Sequence, residues 1–125
     1  MNPGTPAETA EAQTASGTRA KTMRAVVKTQ AGPGVEIREV PVPTVGAFEI
    51  LLRVKRAGVC GTDLHIWEWD DWARGRMKPP VTVGHEFVGE IVELGRGVSE
   101  LAVGDIVSCE SHIVCDSPKT IIVAP

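Results

Sequence analysis

The chain has 125 residues, 42% hydrophobic and 23% charged, with a formal net charge of −3. That length holds one domain, and the composition is that of an ordinary globular protein. The mild acidity offers no basic patch for nucleic acid or anionic membrane, and there is no apolar run of about 18 residues to span a bilayer.

Residues 1–22 contain no Val, Ile, Leu or Phe. They lack the apolar stretch of a secretory signal. Arg19 and Lys21 are their basic residues, set beside Glu8 and Glu11, which makes a poor transit peptide. Such a segment cannot offset the entropy of ordering, so a disordered tail is expected over 1–22 and a folded domain over 23–125. Residues 23–29 read as a first strand, and Gly32-Pro33-Gly34 as a turn. Residues 35–40 (VEIREV) alternate in polarity, as a strand pairing back in a hairpin would. Pro41 and Pro43 break regularity, because proline cannot donate to a ladder. Residues 49–57 (EILLRVKRA) predict a third strand, with Leu52 and Val54 facing a core.

The alternation stops at Gly58. Residues 60–72 predict a short helix or a turn-rich excursion, and all three tryptophans, Trp67, Trp69 and Trp72, fall there. Pro79-Pro80 ends it. Strands are expected again over 86–94, 103–108 and 120–123, with Gly95-Arg96-Gly97 as a turn between the first two. Glu100 stands where a third glycine would complete a dinucleotide-binding loop, and no G-x-G-x-x-G occurs elsewhere. Many short strands punctuated by Gly and Pro imply an all-β barrel or sandwich.

The chemistry-bearing candidates cluster around two strand ends. Cys60 follows one strand and His85 precedes another, 25 residues on. A thiolate and a neutral imidazole suit Zn²⁺, although this is not a finger spacing, and the plain alternative is a buried cysteine and an ordinary histidine. Glu86 supplies an oxygen as a third donor or hydrogen-bonds the ligands. Thr62 and His65 follow Cys60 closely. A hydroxyl and an imidazole there suit proton transfer, and Thr62 also suits a helix cap with Asp63 in the first turn. Asp70, Asp71, Arg74, Arg76 and Lys78 read as a solvated loop or a substrate-facing flap. The odd count of Cys60, Cys109 and Cys115, without a signal, argues against a disulfide framework and for a reducing, cytoplasmic setting.

Taken in order, Gly58-Val59-Cys60-Gly61-Thr62-Asp63-Leu64-His65, then Val83-Gly84-His85-Glu86-Phe87-Val88-Gly89, then Val103-Gly104-Asp105-Ile106-Val107 resemble the zinc-dependent medium-chain alcohol dehydrogenases. The intervening HIWEWDDWARGRMKPP and the run 110–115 are similar to the threonine-oxidising branch of that family. The resemblance implies a mainly β fold: a GroES-like, partly open β-barrel with a short helical excursion, the Rossmann domain being absent from this chain. It implies Cys60, His85 and Glu86 at a catalytic Zn²⁺, Thr62 and His65 as a proton relay, and His112 near the substrate pocket. The implied reaction is NAD-dependent oxidation of the threonine hydroxyl to 2-amino-3-oxobutanoate; the alternatives are another zinc polyol or alcohol dehydrogenase, or a non-catalytic GroES-like binding module. Its partner is a small amino acid or alcohol, with neither nucleic acid nor membrane, and the full-length family is expected to be oligomeric. Cys115 stands where a structural zinc lobe of four cysteines would begin, but Pro118 and Ile121 replace the next two, so that site is expected to be empty. Without a cofactor domain, the isolated chain is expected to be inactive.

Overall fold

The computed structural model describes residues 21–108 and two short strands outside them, at 13–14 and 120–124. In chain order the elements are β1 (Gln13–Thr14), β2 (Thr22–Lys28), β3 (Glu36–Pro41), β4 (Glu49–Ala57), α1 (Gly61–Glu68), α2 (Asp71–Arg76), β5 (Val81–Thr82), β6 (Phe87–Leu94), β7 (Ile106–Ser108) and β8 (Thr120–Ala124). They form a mainly β fold of two open sheets. One sheet has the order β1-β6-β4-β8 with β7 also on β6; the other runs β3-β2-β5.

The expected hairpin is β2 with β3, antiparallel from Thr22↔Pro41 to Val27↔Glu36. Pro41 closes β3 rather than interrupting it. β3 is the edge of its sheet, where a missing N–H costs no ladder bond. Two differences concern the N-terminus. Gln13–Thr14 pair with Leu94 and Glu93 of β6, and Thr22 already belongs to β2, so these residues are ordered within the stretch expected to be disordered. Edge backbone on β6 supplies hydrogen bonds that the composition of the tail does not reveal. The remaining residues of that tail lie outside the described residues.

The core forms between β4 and β6. Ile50, Leu52, Ile91 and Leu94 are buried against one another, with Phe87, Val98, Leu101, Val103 and Val107 packed around them. Leu51 is buried as well, so β4 begins covered on both faces, whereas Val54 beyond it is only half-buried. Burying each such aliphatic side chain contributes roughly 1.5–3 kcal/mol. The strand expected over 103–108 is shorter, because Val103 and Gly104 form the turn into β7.

Two irregularities bend this pairing. The register passes from Leu51↔Glu93 to Leu52↔Ile91, leaving Val92 extra on β6, and from Val54↔Gly89 to Arg56↔Val88, leaving Lys55 extra on β4. Each extra residue increases the local twist and re-aims the strand beyond it. The second lies just before β4 runs out toward Cys60.

The excursion over 60–72 resolves into two helices. Cys60 caps α1, and Asp63 at the third helical position accepts from the Cys60 N–H through Oδ2 at 2.8 Å. Thr62 therefore sits inside the first turn and is not the cap, a correction to the sequence reading. Asp70 caps α2 by accepting from the Ala73 N–H through Oδ1 at 3.0 Å. The helices are tied to the second sheet by Lys28, whose side chain is fully buried. Its Nζ donates to the carbonyls of Gly32, Gly34 and Trp67 and lies 5.0 Å from the centroid of the buried Trp69 ring. Burial pushes the ammonium below the usual lysine range. Among the described residues no helix is long and apolar enough to cross a membrane.

Candidate metal centre

Cys60, His85 and Glu86 are brought together by strand register. β4 and β6 run antiparallel, so the end of one lies beside the beginning of the other at Ala57↔Phe87. The Gly58 N–H then extends the ladder to the Glu86 carbonyl at 2.8 Å. Cys60 lies just beyond that point, and His85 and Glu86 just before β6. A separation of 25 residues thereby becomes contact. One ligand atom each of Cys60, His85 and Glu86 falls within 4.8 Å of the others.

Two glycines shape this corner. Gly84 has φ of 105°, a conformation disfavoured for L side chains, and it turns the chain so that His85 enters beside Cys60. A Cβ on Gly58 would lie 2.8 Å from Glu86 Oε2, so the bare α-carbon makes the room that the carboxylate occupies.

The electrostatics run along the same contacts. The backbone N–H and the hydroxyl of Thr62, then the His85 ring, hold the Cys60 thiol below its ordinary range; partial burial and Glu86 oppose them. This is the usual effect of a helix N-terminus on a cysteine. The hydrogen bond with Cys60 holds His85 above the ordinary imidazole range against the opposing effect of burial, with Asp63 adding to it. The Thr62 hydroxyl reaches His85 Nε2 at 3.3 Å.

The reading of the sequence passed over Asp63 as a first-turn residue. Its Oδ1 is buried without a hydrogen-bond partner and lies 3.7 Å from His85 Nδ1. At that distance the carboxylate acts on the imidazole through its charge, adding to what holds His85 above its ordinary range. The signal available was an acidic side chain three residues after a helix cap, a spacing that returns it to the cap itself.

Thr62 and His65 are not hydrogen-bonded to each other. Thr62 turns to His85, whereas His65 Nδ1 meets Asp70 Oδ2 at 2.5 Å and its ring lies 5.5 Å from that of Trp72. Each is thus held by a different neighbour, Thr62 by the His85 ring and His65 by the Asp70 carboxylate. Cys109, His112 and Cys115 lie outside the described residues.

One sulfur, one nitrogen and one oxygen donor on a partly exposed corner fit a zinc site with three protein ligands and an open position. Residues 46–121, more than half of the chain, match the alcohol dehydrogenase GroES-like domain. The chain belongs to that family. This GroES-like domain is 55% identical, over 78% of the chain, to the L-threonine 3-dehydrogenase of Symbiobacterium thermophilum. It spans 28% of that relative's length. Among solved structures, the alcohol dehydrogenase TADH from Thermus sp. ATN1 is 37% identical with a TM-score of 0.64, covering 77% of this chain and 27% of its own. A short chain alcohol dehydrogenase, rspB, from E. coli CFT073, complexed with NADH, is 34% identical with a TM-score of 0.65, covering 78% and 27%. The GroES-like domain thus places its sulfur, imidazole and carboxylate on a scaffold shared with oxidoreductases.

Proposed function

We propose that this GroES-like domain is the zinc-holding, substrate-side part of a dehydrogenase of the L-threonine 3-dehydrogenase type. The observation that carries the proposal is the convergence of Cys60, His85 and Glu86 to within 4.8 Å. These three residues would hold Zn²⁺, with the Asp63 carboxylate as a nearby charge on the His85 ring. Zinc there supplies a Lewis acid for the hydroxyl of an alcohol substrate. Thr62 stands at the inner side of the centre, its hydroxyl on His85, where it can hand on a proton from that hydroxyl. His65, exposed on α1, takes a proton outward. His112 is proposed as a substrate-pocket residue. NAD is the hydride acceptor this reading requires; the chain carries no G-x-G-x-x-G with which to bind it. Threonine is favoured over simple alcohols by the relative's 55% identity, which spans the tryptophan-bearing segment.

Metal uptake by the purified chain tests this. Titration with Co²⁺ should give about one ion per chain in a tetrahedral, thiolate-bearing spectrum, and Zn²⁺ should displace it. Cys60→Ser should remove the thiolate absorption. Absence of stoichiometric uptake, or an unchanged spectrum in Cys60→Ser, overturns the proposal.

A further inference from the structure

Trp69, which ends α1, is the non-glycine residue with positive φ among the described residues, at 57°. An L side chain disfavours that conformation, and departures of this kind concentrate where a structure needs them. Here the indole is buried beneath the Lys28 ammonium, which holds the residue in place. The left-handed step folds the chain back on α1. The N–H groups of Trp69 and Asp70 both return to the His65 carbonyl, at 2.9 and 3.4 Å.

The reversal lays the Asp70 side chain against His65, and its two oxygens do different work. Oδ1 accepts from the Ala73 N–H at 3.0 Å and starts α2; Oδ2 meets His65 Nδ1 at 2.5 Å. Trp72, in the first turn of α2, tilts its ring against the imidazole at 5.5 Å and 36°, and the Arg76 guanidinium lies 4.9 Å over that indole. The Ala73 N–H, then His65, keep the Asp70 carboxyl below its ordinary range, so it faces the ring as an anion. An anion opposite a bare nitrogen would set lone pair against lone pair; opposite Nδ1–H it makes a charge-assisted hydrogen bond.

We propose that Asp70 is the positioning residue of His65: it fixes the Nδ1–H tautomer and leaves Nε2 bare to accept the proton. The cap of the tryptophan-bearing helix and the proton acceptor are then one device. The inference rests on the reading of His65 as the outer proton acceptor. The step it serves is a single proton transfer. One O–H bond of the donor breaks, one Nε2–H bond forms, and Nδ1 keeps its proton on Asp70, which stabilises the resulting imidazolium without itself being protonated.

The test is nitrogen-resolved NMR of the His65 ring in the full chain, at a pH where the imidazole is neutral. The unmodified chain should show Nδ1 protonated and Nε2 bare. Asp70→Ser keeps a capping oxygen for α2, since serine caps about as well as aspartate, but it is too short and uncharged to hold the ring. It should invert the tautomer, with Nε2–H becoming the major form. Asp70→Ala should invert it as well and also lose the α2 cap. The proposal is overturned if the unmodified chain already carries Nε2–H, or if Asp70→Ser leaves Nδ1 protonated. Co²⁺ uptake on the same samples separates the two readings: failure to bind defeats the metal centre while a tautomer that responds to Asp70 still upholds the positioning role.

Discussion

Gly58 shows how much one missing methyl group decides. Its α-carbon faces the Glu86 carboxylate so closely that a Cβ would lie 2.8 Å from Oε2 and 3.3 Å from the Glu86 Cβ. An alanine there meets the mobile end of a side chain rather than rigid backbone. Gly58→Ala should change stability by less than about 1 kcal/mol, because lost unfolded-state entropy offsets the crowding. The carboxylate, however, must shift from the position in which it stands beside Cys60 and His85. Co²⁺ affinity should fall about tenfold, the scale on which misplaced ligand support acts. Parallel cobalt titration and urea denaturation check this. A loss of stability with unchanged affinity would show that Glu86 does not act at the centre.

At the scale of elements, the helical excursion depends on a strand from the other sheet. Lys28 ends β2, and its ammonium gathers carbonyls from the 32–34 turn and from Trp67 near the end of α1. No apolar side chain can serve those oxygens. Lys28→Met preserves most of the volume but leaves the part-buried carbonyls of Gly32 and Gly34 without the ammonium, each costing about 1 kcal/mol. Urea denaturation should register a loss of about 2 kcal/mol. The Trp69 conformation should relax with it, read as a change in tryptophan fluorescence. The sequence shows strand β2 by its alternation, but nothing in that alternation marks its last residue as a buried anchor for a helix 39 positions away.

For the molecule as a whole, stability in acid follows from carboxylates held below their ordinary range. Glu90 is held there by Lys55, 2.6 Å away, Asp70 by the Ala73 N–H, and Glu36 chiefly by Thr29. A carboxyl depressed in the folded state contributes stability that is complete above its unfolded value, about 4, and is lost as pH falls through the folded one. Denaturation midpoints should therefore decline below about pH 4. Lys55→Met should remove the Glu90 share of that slope. Added salt should weaken the same share, because the pair is partly exposed.

Local pattern was enough for most strands. Apolar alternation and Gly–Pro punctuation are properties of neighbouring residues, so β2, β3, β4 and β6 were legible within a residue or two. For Cys60, His85 and Glu86 the residue types left a plain buried cysteine and histidine open, and the ordered resemblance to zinc-dependent dehydrogenases pointed to a shared ion. Beyond the reach of the sequence lay everything that depends on pairing across the fold. The register Ala57↔Phe87 sets Cys60 beside His85, and it results from the summed fit of two whole strands. Asp63 beside His85, Asp70 against His65 and the left-handed Trp69 are likewise contacts and conformations that residue types alone do not announce. The 3.7 Å approach of Asp63 to His85 bridges 22 residues, while Asp70 against His65 is local in the chain but depends on the left-handed step at Trp69, whose indole is held by Lys28 from the other sheet.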